Sequence, residues 1–388
     1  MNPIRDQEGR LRLQALLANE YAVRGHRGEK VEALQEAAAL LTQGTPETAG
    51  DQLKQAIEAL SDHKNTVVYD DSGLPSVMVR IPRMTQNDLL GDGSAALCPA
   101  FCGVDGEILV GKYQSSLADG IACSLPMVQP VSGVSYDEAL HACRQKGAGW
   151  HMTPFALRMA IALWCRKQGF LPHGNNYGGQ DYFFPQEKGE LAENGQTLCG
   201  SGPLTWSHDG TPNGIYDLNG NLNEWDSGFR LMNGEIQLIP MDALLVKDAD
   251  MGMESPLWRA LDANGESVAP GTPGTLKYDA VDGHIRLSRE VRSPGIGNCA
   301  FRDIQAEPGL EPPVMSRLLG LYPEGNREGY GLGWRWITTY GEATPLCGGA
   351  NRADDHAGVF FVGATYPRTK NYNLTGFRLI YIDREGTK

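Results

Sequence analysis

The segment from residue 348 to 378 carries the side chains of this chain that are best suited to contact another molecule. Short framework sequences stand at its start, middle and end: Gly-Gly at 348–349, Ala-Gly-Val-Phe at 357–360 and Gly-Phe-Arg at 376–378. The residues between them are chemically unrelated and include arginine, aspartate, histidine, tyrosine and lysine. Glycine permits tight or left-handed backbone. The pattern therefore predicts a fixed backbone that carries interchangeable contact residues, as antibody loops do on their scaffold.

The cysteines offer little further chemistry. They are scattered along the chain at positions 98, 102, 123, 143, 165, 199, 299 and 347. The sequence has no C-x-x-C pair and no zinc-type histidine spacing, and Cys98 and Cys102 come closest to a ligand pair. Most of these cysteines are expected to be buried, reduced thiols. A Ser-His-Asp set or a pair of catalytic carboxylates does not stand out either.

Composition and charge exclude several classes of function. The chain has 388 residues, of which 41% are hydrophobic and 21% charged, as in ordinary globular proteins of one large domain or two. A net charge of −13 without clustered basic residues argues against a nucleic-acid partner. No apolar run approaches the roughly 18 residues of a membrane span, and the first residues lack a signal-peptide core. We expect synthesis in the cytoplasm and no membrane insertion. Assembly into a virion that is released by lysis is compatible with both expectations.

Residues 1–65 predict a helical N-terminal segment. Apolar residues recur at helical spacing, at positions 34, 38 and 41 and again at 53, 57 and 60. Thr45-Pro46 is typical of an N-cap followed by proline at the first helical position. Two interpretations stay open: a helical prefix packed on the main body, or a module for self-assembly or for docking on a virion.

From residue 66 onward, short strands and frequent turns predict an α+β domain. Strands are expected at 77–81 and 108–113, and helices are expected to open at Tyr136 and after Thr153-Pro154. Residues 229–330 predict a β-hairpin-rich insertion. Its strongest signals are Asn233-Gly234 and Asp282-Gly283, because type I′ turns need positive φ at both central residues.

Four sequence strings in order carry a family resemblance: residues 134–139, 152–154, 214–225 and 376–378. The order of Val-Ser-Tyr-Asp-Glu-Ala, Met-Thr-Pro, Gly-Ile-Tyr-Asp-Leu-Asn-Gly-Asn-Leu-Asn-Glu-Trp and Gly-Phe-Arg resembles the formylglycine-generating-enzyme type of C-type lectin fold. The resemblance covers roughly residues 75–388, with 229–330 as an insertion. It implies an α+β C-type lectin fold preceded by the short helical segment.

Within that superfamily, the segment from Gly348 resembles the variable region of proteins diversified by retroelements. In those systems, mutagenic reverse transcription substitutes adenines of a template RNA, mostly within Asn-type codons. The hairpin at 228–240 resembles the phage and prophage members of the group. One departure is Ala350-Asn351, where the family commonly has Ser-Trp, so local packing is expected to differ there.

The resemblance implies which residues contact the ligand within the variable region, 347–380. Val359, Phe360 and Phe377 are the expected core anchors. Tyrosine and phenylalanine supply large contact areas at low entropic cost, and charged residues add strong hydrogen bonds. The predicted variable surface consists of Arg352, Asp354, Asp355, His356, Phe361, Gly363, Tyr366, Lys370, Tyr372 and Leu374. The alternative is a solvated loop without a partner, and metal binding by His356 is disfavoured because it has no suitably spaced second ligand.

The resemblance also raises a calcium site. In the enzymes, the region that matches residues 219–224 holds a structural calcium, which here implicates Asn219, Gly220, Leu222 and Glu224. Calcium takes six to eight oxygen ligands and this segment supplies only about four, so further ligands would have to come from elsewhere. The alternative is a turn held by Asn and Glu hydrogen bonds to the backbone. We expect no required cofactor and leave structural calcium open.

Three functional hypotheses follow from the resemblance. The leading one is a non-enzymatic binding protein with a retroelement-diversified surface, which recognises a protein or glycan target on a cell surface for a phage or prophage. The second is a metal-dependent oxidase of the formylglycine type, disfavoured because Ala353 and Gly358 stand where those enzymes have copper-binding cysteines. The third is a structural phage tail protein whose lectin domain is a decoration.

Overall fold

The computed structural model describes residues 46–118 and 120–383, which form a mixed α/β structure that is rich in strands and has few helices. The α-helices in this part of the chain are α1 Pro46–Leu60, α2 Gln86–Leu90, α3 Tyr136–Arg144, α4 Phe155–Lys167, α5 Met241–Leu244 and α6 Val314–Leu318. Single turns of 3₁₀ helix lie at Pro99–Phe101, Glu193–Gly195, Leu204–Trp206, Phe301–Asp303, Arg327–Tyr330 and Asp354–His356.

Three sheets contain the strands of the described residues. In chain order the strands are β1 Asn65–Tyr69, β2 Pro75–Ile81, β3 Ile108–Gly111, β4 Ser116–Ala118, β5 Ile121–Cys123, β6 Trp150–Met152, β7 Asn223–Trp225, β8 Phe229–Met232, β9 Glu235–Leu238, β10 Arg259–Leu261, β11 Ser267–Val268, β12 Lys277–Val281, β13 His284–Ser288, β14 Ile296–Ala300, β15 Gln305–Ala306, β16 Trp334–Thr338, β17 Glu342–Cys347, β18 Val362–Tyr366, β19 Thr375–Phe377 and β20 Leu379–Tyr381.

The first sheet joins the two ends of the described chain. Its order is β1-β2-β3-β20-β6 and every neighbouring pair is antiparallel. Helix α3 begins with a capping box between Ser135 and Glu138. Helix α4 has Pro154 as its N-cap, without a side-chain hydrogen bond. The helix thus opens after Thr153-Pro154, as expected, while the Thr153 hydroxyl donates to the carbonyl oxygen of Arg378 at 2.9 Å.

The second sheet contains 13 strands and carries the C-terminal segment. Its main path is β14-β16-β18-β17-β8-β9-β12-β13-β15, and β7 joins β17 to β19. Residues 229–330 lengthen this sheet, because β8 pairs with β17 through Met232 and Glu342. Both predicted hairpins are confirmed. Positive φ values of 49° and 81° stand at residues 233 and 234, and of 50° and 80° at residues 282 and 283.

Helix α1 packs on the main body. It begins at Pro46, as predicted, and buries Leu53 and Ile57 in a small cluster with Val67 and Val77. Glu58 accepts a hydrogen bond from Arg80 of β2 at 2.9 Å. For these residues the packed interpretation is the one observed, whereas the helices expected before residue 46 lie outside the described residues.

Burial describes the state of the cysteines, and helix length and composition describe the helices. None of the eight cysteines, all of which lie in the described residues, forms a disulfide, and Cys102 alone among them is exposed. Their predicted burial is confirmed. Among the helices of residues 46–118 and 120–383, none combines the length and apolar character needed to cross a membrane.

Candidate functional site

The framework of the C-terminal segment is joined to the 214–225 string by a buried ion pair. Strands β7 and β19 run parallel and place Gly376 beside Glu224. The next residue but one, Arg378, donates from Nε and Nη2 to the Glu224 carboxylate at 3.0 and 2.8 Å. Arg158 of α4 donates to the same carboxylate. Two of the four strings that carry the family resemblance, 214–225 and 376–378, are therefore in direct contact.

Electrostatics in this buried cluster are set by burial and by the two guanidinium groups. Burial alone would raise the pKa of Glu224, but Arg158 and Arg378 hold that pKa below its usual value. Asp226 lies 3.2 Å from the Nε atom of Arg158, yet burial raises the pKa of Asp226 to about 6. Burial likewise keeps the pKa of the Cys347 thiol well above its usual value. The cluster is a buried ion network.

The glycine pair at the start of the segment is required by backbone geometry. Gly348 and Gly349 have φ values of 86° and 82°, in the left-handed region. A Cβ atom on Gly348 would lie 2.8 Å from the carbonyl oxygen of Leu218. A Cβ atom on Gly349 would lie 2.8 Å from the Cβ atom of Ala357, a buried framework residue. Side chains at either position would displace the segment.

Asn351 fills the position where the sequence departs from the family pattern. Its side chain is 1% exposed. Its amide nitrogen donates to the carbonyl oxygen of Asn221 at 3.2 Å, and its Nδ2 donates to the carbonyl oxygen of Asn194 at 2.9 Å. Its own carbonyl oxygen accepts from the amide of Gly178 at 2.8 Å. Hydrogen bonds to neighbouring loops therefore hold this turn.

The predicted core anchors are confirmed. Val359, Phe360 and Phe377 are all buried. The Phe360 ring stacks on Phe301 with a centroid distance of 5.3 Å and meets the edge of Tyr330 at 5.0 Å. Both partners come from the hairpin-rich region, which thus supports the C-terminal segment directly.

One group of predicted contact residues lies before β18. Arg352 is exposed, and Asp354, Asp355 and His356 are half-buried. The His356 Nε2 atom lies 3.8 Å from the Asp355 Oδ1 atom. The His356 ring meets the half-buried indole of Trp334 edge to face, with centroids 4.2 Å apart. This turn presents charged groups beside an aromatic surface.

A second group of predicted contact residues lies at the far end of β18. Tyr366 and Tyr372 are 39% and 42% exposed, and the Lys370 Nζ atom lies 5.7 Å from the centre of the Tyr366 ring. Phe361, half-buried, precedes the strand and therefore lies at the end nearer the first group. A strand rises about 3.3 Å per residue, so the two ends of the five-residue β18 are roughly 13 Å apart. The structure therefore brings the predicted residues together as two groups at opposite ends of one strand.

Two of the predicted contact residues differ in burial from the rest. Leu374 is only 5% exposed, so its placement on the variable surface is wrong. The reason is that its carbonyl oxygen accepts from the amide of Asn223 at 3.0 Å, which draws this residue into the start of the β7–β19 pairing. Gly363 is buried within β18, but a Cβ atom there would make only ordinary contacts, at 3.8 Å with the Phe361 ring and at 3.9 Å with the carbonyl oxygen of Leu346.

The residues predicted to hold calcium have other partners. The Nε2 atom of Gln114 lies 3.3 Å from the carbonyl oxygen of Gly220, 3.2 Å from that of Leu222 and 3.1 Å from Glu224 Oε1. The side chain of Asn219 donates to the carbonyl oxygen of Pro172 at 3.0 Å. With an amide group among these oxygens and two arginines on the carboxylate, the residues do not fit a calcium site.

The described residues contain no other candidate metal site. No group of three or more His, Cys, Asp or Glu side chains in residues 46–118 and 120–383 is arranged so that it could hold a metal ion. The positions that match the copper-binding cysteines are Ala353 and Gly358. Cys347, the nearest thiol in sequence, is fully buried.

Sequence patterns did not predict an exposed aromatic loop beside the first contact group. Tyr177, Tyr182, Phe183 and Phe184 are between 40% and 54% exposed. They lie on a loop that hydrogen-bonds to the turn at residues 351–354. The consecutive Tyr-Phe-Phe at 182–184, set among polar residues, is the signal that could have found it.

Comparisons with known proteins identify no family. No family model matches the sequence, and no curated protein matches it. A structural similarity is found to PvdO from Pseudomonas aeruginosa, at 13% sequence identity, covering 82% of this chain and 98% of PvdO, with a TM-score of 0.27. A likeness of that size carries no argument about function.

Proposed function

We propose that this chain is a ligand-binding protein that displays a retroelement-diversified surface on a scaffold of the formylglycine-generating-enzyme type of C-type lectin fold. In this proposal it recognises a protein or glycan target for a phage or prophage. The resemblance of residues 214–225, 228–240 and 348–378 motivates it.

One observation carries the proposal: fixed residues and contact residues separate by burial along the same segment. The framework residues Gly349, Phe360 and Arg378 are held by left-handed backbone, aromatic packing and a buried ion pair. The side chains between them reach solvent at eight of the ten predicted positions: Arg352, Asp354, Asp355, His356, Phe361, Tyr366, Lys370 and Tyr372. Because these side chains make few contacts with the core, their replacement costs the fold little.

Arg368 supports the same division from within the variable region. Its guanidinium donates to Glu342 at 3.0 Å and to Asp137 at 3.1 Å, and it lies 5.1 Å from the centre of the Tyr136 ring. This arginine therefore anchors the loop between Tyr366 and Tyr372 to helix α3 and strand β17. An anchored loop favours binding, because a loop without this anchor would lose conformational entropy when the ligand binds.

The genomic test is direct. The DNA beside the gene should contain a near-identical repeat of the 3′ coding end that differs almost only at adenines, next to a reverse transcriptase gene. The differences should fall on the codons of the eight solvent-reaching positions and spare those of Gly349, Phe360 and Arg378. Sequenced flanks without such a repeat would remove most of the support.

The binding test compares two displayed libraries of the full chain. One randomises the eight solvent-reaching positions, and the control randomises eight exposed positions of the hairpin-rich region: Arg259, Glu266, Ser267, Ala269, His284, Glu290, Arg292 and Gln305. Selection on immobilised hen egg-white lysozyme should yield specific binders from the first library and not from the second. Equal yields would contradict the proposed surface.

A further inference from the structure

A chain of exposed aromatic rings, the aromatic loop, consists of Tyr177, Tyr182, Phe183 and Phe184. Tyr177 meets Tyr182 edge to face at a centroid distance of 5.6 Å, and Tyr182 meets Phe183 in the same way at 5.1 Å. A large aromatic side chain offers about 150–250 Å², so four half-exposed rings leave roughly 400 Å² in solvent. That is the size of the largest apolar patch on a typical monomer, and such patches are often functional.

The aromatic loop is held in place by a buried carboxylate. Asp181 is 2% exposed, and its Oδ1 accepts from the amides of Phe183 and Phe184 at 2.9 and 3.0 Å. Its Oδ2 accepts from the amide of Gly174 at 3.1 Å. The backbone that carries the rings is therefore fixed before any partner arrives, which lowers the entropic cost of binding.

The aromatic loop is continuous with the first contact group. The carbonyl oxygen of Asn176 accepts from the amide of Asp354 at 3.0 Å, and the amide of Gly178 donates to the carbonyl oxygen of Asn351 at 2.8 Å. These two bonds flank Tyr177 in the sequence. A partner seated on Arg352 and its neighbours therefore meets the aromatic loop at the same edge.

We propose that the aromatic loop is the constant half of a composite surface that binds a protein, and that the variable residues are the other half. This inference rests on the proposed function and specifies its ligand class. Side chains replaced by diversification give specificity that changes with the target, whereas exposed tyrosine and phenylalanine contribute affinity to many targets.

Area and charge both favour a protein over a glycan. A stable protein interface buries about 800 Å² on each partner, and the aromatic loop supplies roughly half of that before any variable residue is counted. The exposed and half-exposed charges at residues 187–193, which diversification does not replace, are mostly acidic: Glu187, Glu190 and Glu193, against Lys188. The fitting partner is a protein with an apolar patch and basic groups at its edge, because complementary charge favours encounter and register.

The test uses binders selected from the library of the eight solvent-reaching positions, panned separately on lysozyme (basic), ovalbumin (acidic) and immobilised dextran. Each selected clone then receives Tyr182→Ala with Phe183→Ala. The matched control is Val246→Ala with Met253→Ala, two apolar side chains of 48% and 45% exposure in the hairpin-rich region. Melting temperature and circular dichroism should be unchanged in both pairs, since all four side chains are exposed.

The inference predicts at least a tenfold rise in Kd for lysozyme clones with the aromatic pair replaced, and a change within twofold for the control pair. Lysozyme should also yield more clones than ovalbumin. In the complexes, hydrogen exchange at the amides of Phe183 and Phe184 should slow. Protein-selected clones with unchanged Kd, or a loss confined to dextran clones, would overturn it.

The two proposals fail in different ways. Clones that depend on the variable positions but tolerate the aromatic-loop substitutions overturn this inference and leave the proposed function standing. A library that returns no clones dependent on the variable positions overturns both.

Discussion

Replacing Glu224 by glutamine removes the carboxylate charge that two buried guanidinium groups share. Glu224 is 1% exposed and accepts from Arg378 at 2.8 and 3.0 Å, from Gln114 at 3.1 Å and from Arg158. Removing one member of a buried ion pair typically costs about 3–5 kcal/mol, because the partner charge stays buried without compensation. We expect a loss of that size in the free energy of unfolding, measured by urea titration with tryptophan fluorescence at pH 7.

Glu290→Gln is the matched control. Glu290 pairs with Arg292 at 3.0 Å, a distance similar to that in the buried pair, but the two side chains are 67% and 70% exposed. Exposed ion pairs contribute about 0–1 kcal/mol, so this variant should unfold close to the wild-type midpoint. Equal unfolding midpoints for the Glu224→Gln and Glu290→Gln variants would refute the argument that burial of the ion network holds the C-terminal framework in place.

Three further predictions concern Asp226 of the buried ion network, the glycine pair and the cysteines. The pKa of Asp226 is about 6 in the folded protein, above its ordinary value. The protonated carboxyl therefore stabilises the fold fully below about pH 4. This stabilisation, on the order of 2–3 kcal/mol, is lost as the pH rises through 6. The stability of Asp226→Asn relative to wild type should therefore rise between pH 4 and 7 in urea titrations, and a flat difference would contradict this. Gly349→Ala should destabilise by more than about 2 kcal/mol, since it adds a clash to the cost of positive φ. Gly271→Ala, with φ of 78° and open space around its Cβ, should cost only about 1 kcal/mol. One thiol per native chain, Cys102, should react with Ellman's reagent, and all eight should react in denaturant; a second fast thiol would show that a buried cysteine is accessible.

Features fixed by local chemistry could be predicted from the sequence. Asn233-Gly234 specifies its hairpin through the φ values of two adjacent residues, and Pro46 marks the start of α1 for a similar reason. The apolar anchors around Phe360 also follow from local pattern, since large apolar residues among polar ones usually face the core.

Features that depend on contacts between distant residues could not be predicted. The ion pair between Glu224 and Arg378 joins residues 154 positions apart, so the sequence shows the two residues but not their contact. Leu374 is a large apolar residue among polar ones, a pattern that favours burial, but the strand pairing with Asn223 of β7 beside which it is buried is not visible in the sequence. The aromatic loop has no helical or strand periodicity, and the buried Asp181 that holds it resembles a surface carboxylate in sequence.

A crystal structure of a multiply substituted variant would test the central claim most directly. Arg352, Asp355, Phe361, Tyr366 and Tyr372 would all be replaced at once, each by a residue of different size and charge. An immobile backbone predicts that residues 348–378 superpose on the wild-type main chain within about 1 Å, as preorganised binding surfaces do. A rebuilt main chain in this segment, with Gly349 or Arg378 displaced from its present contacts, would contradict the account.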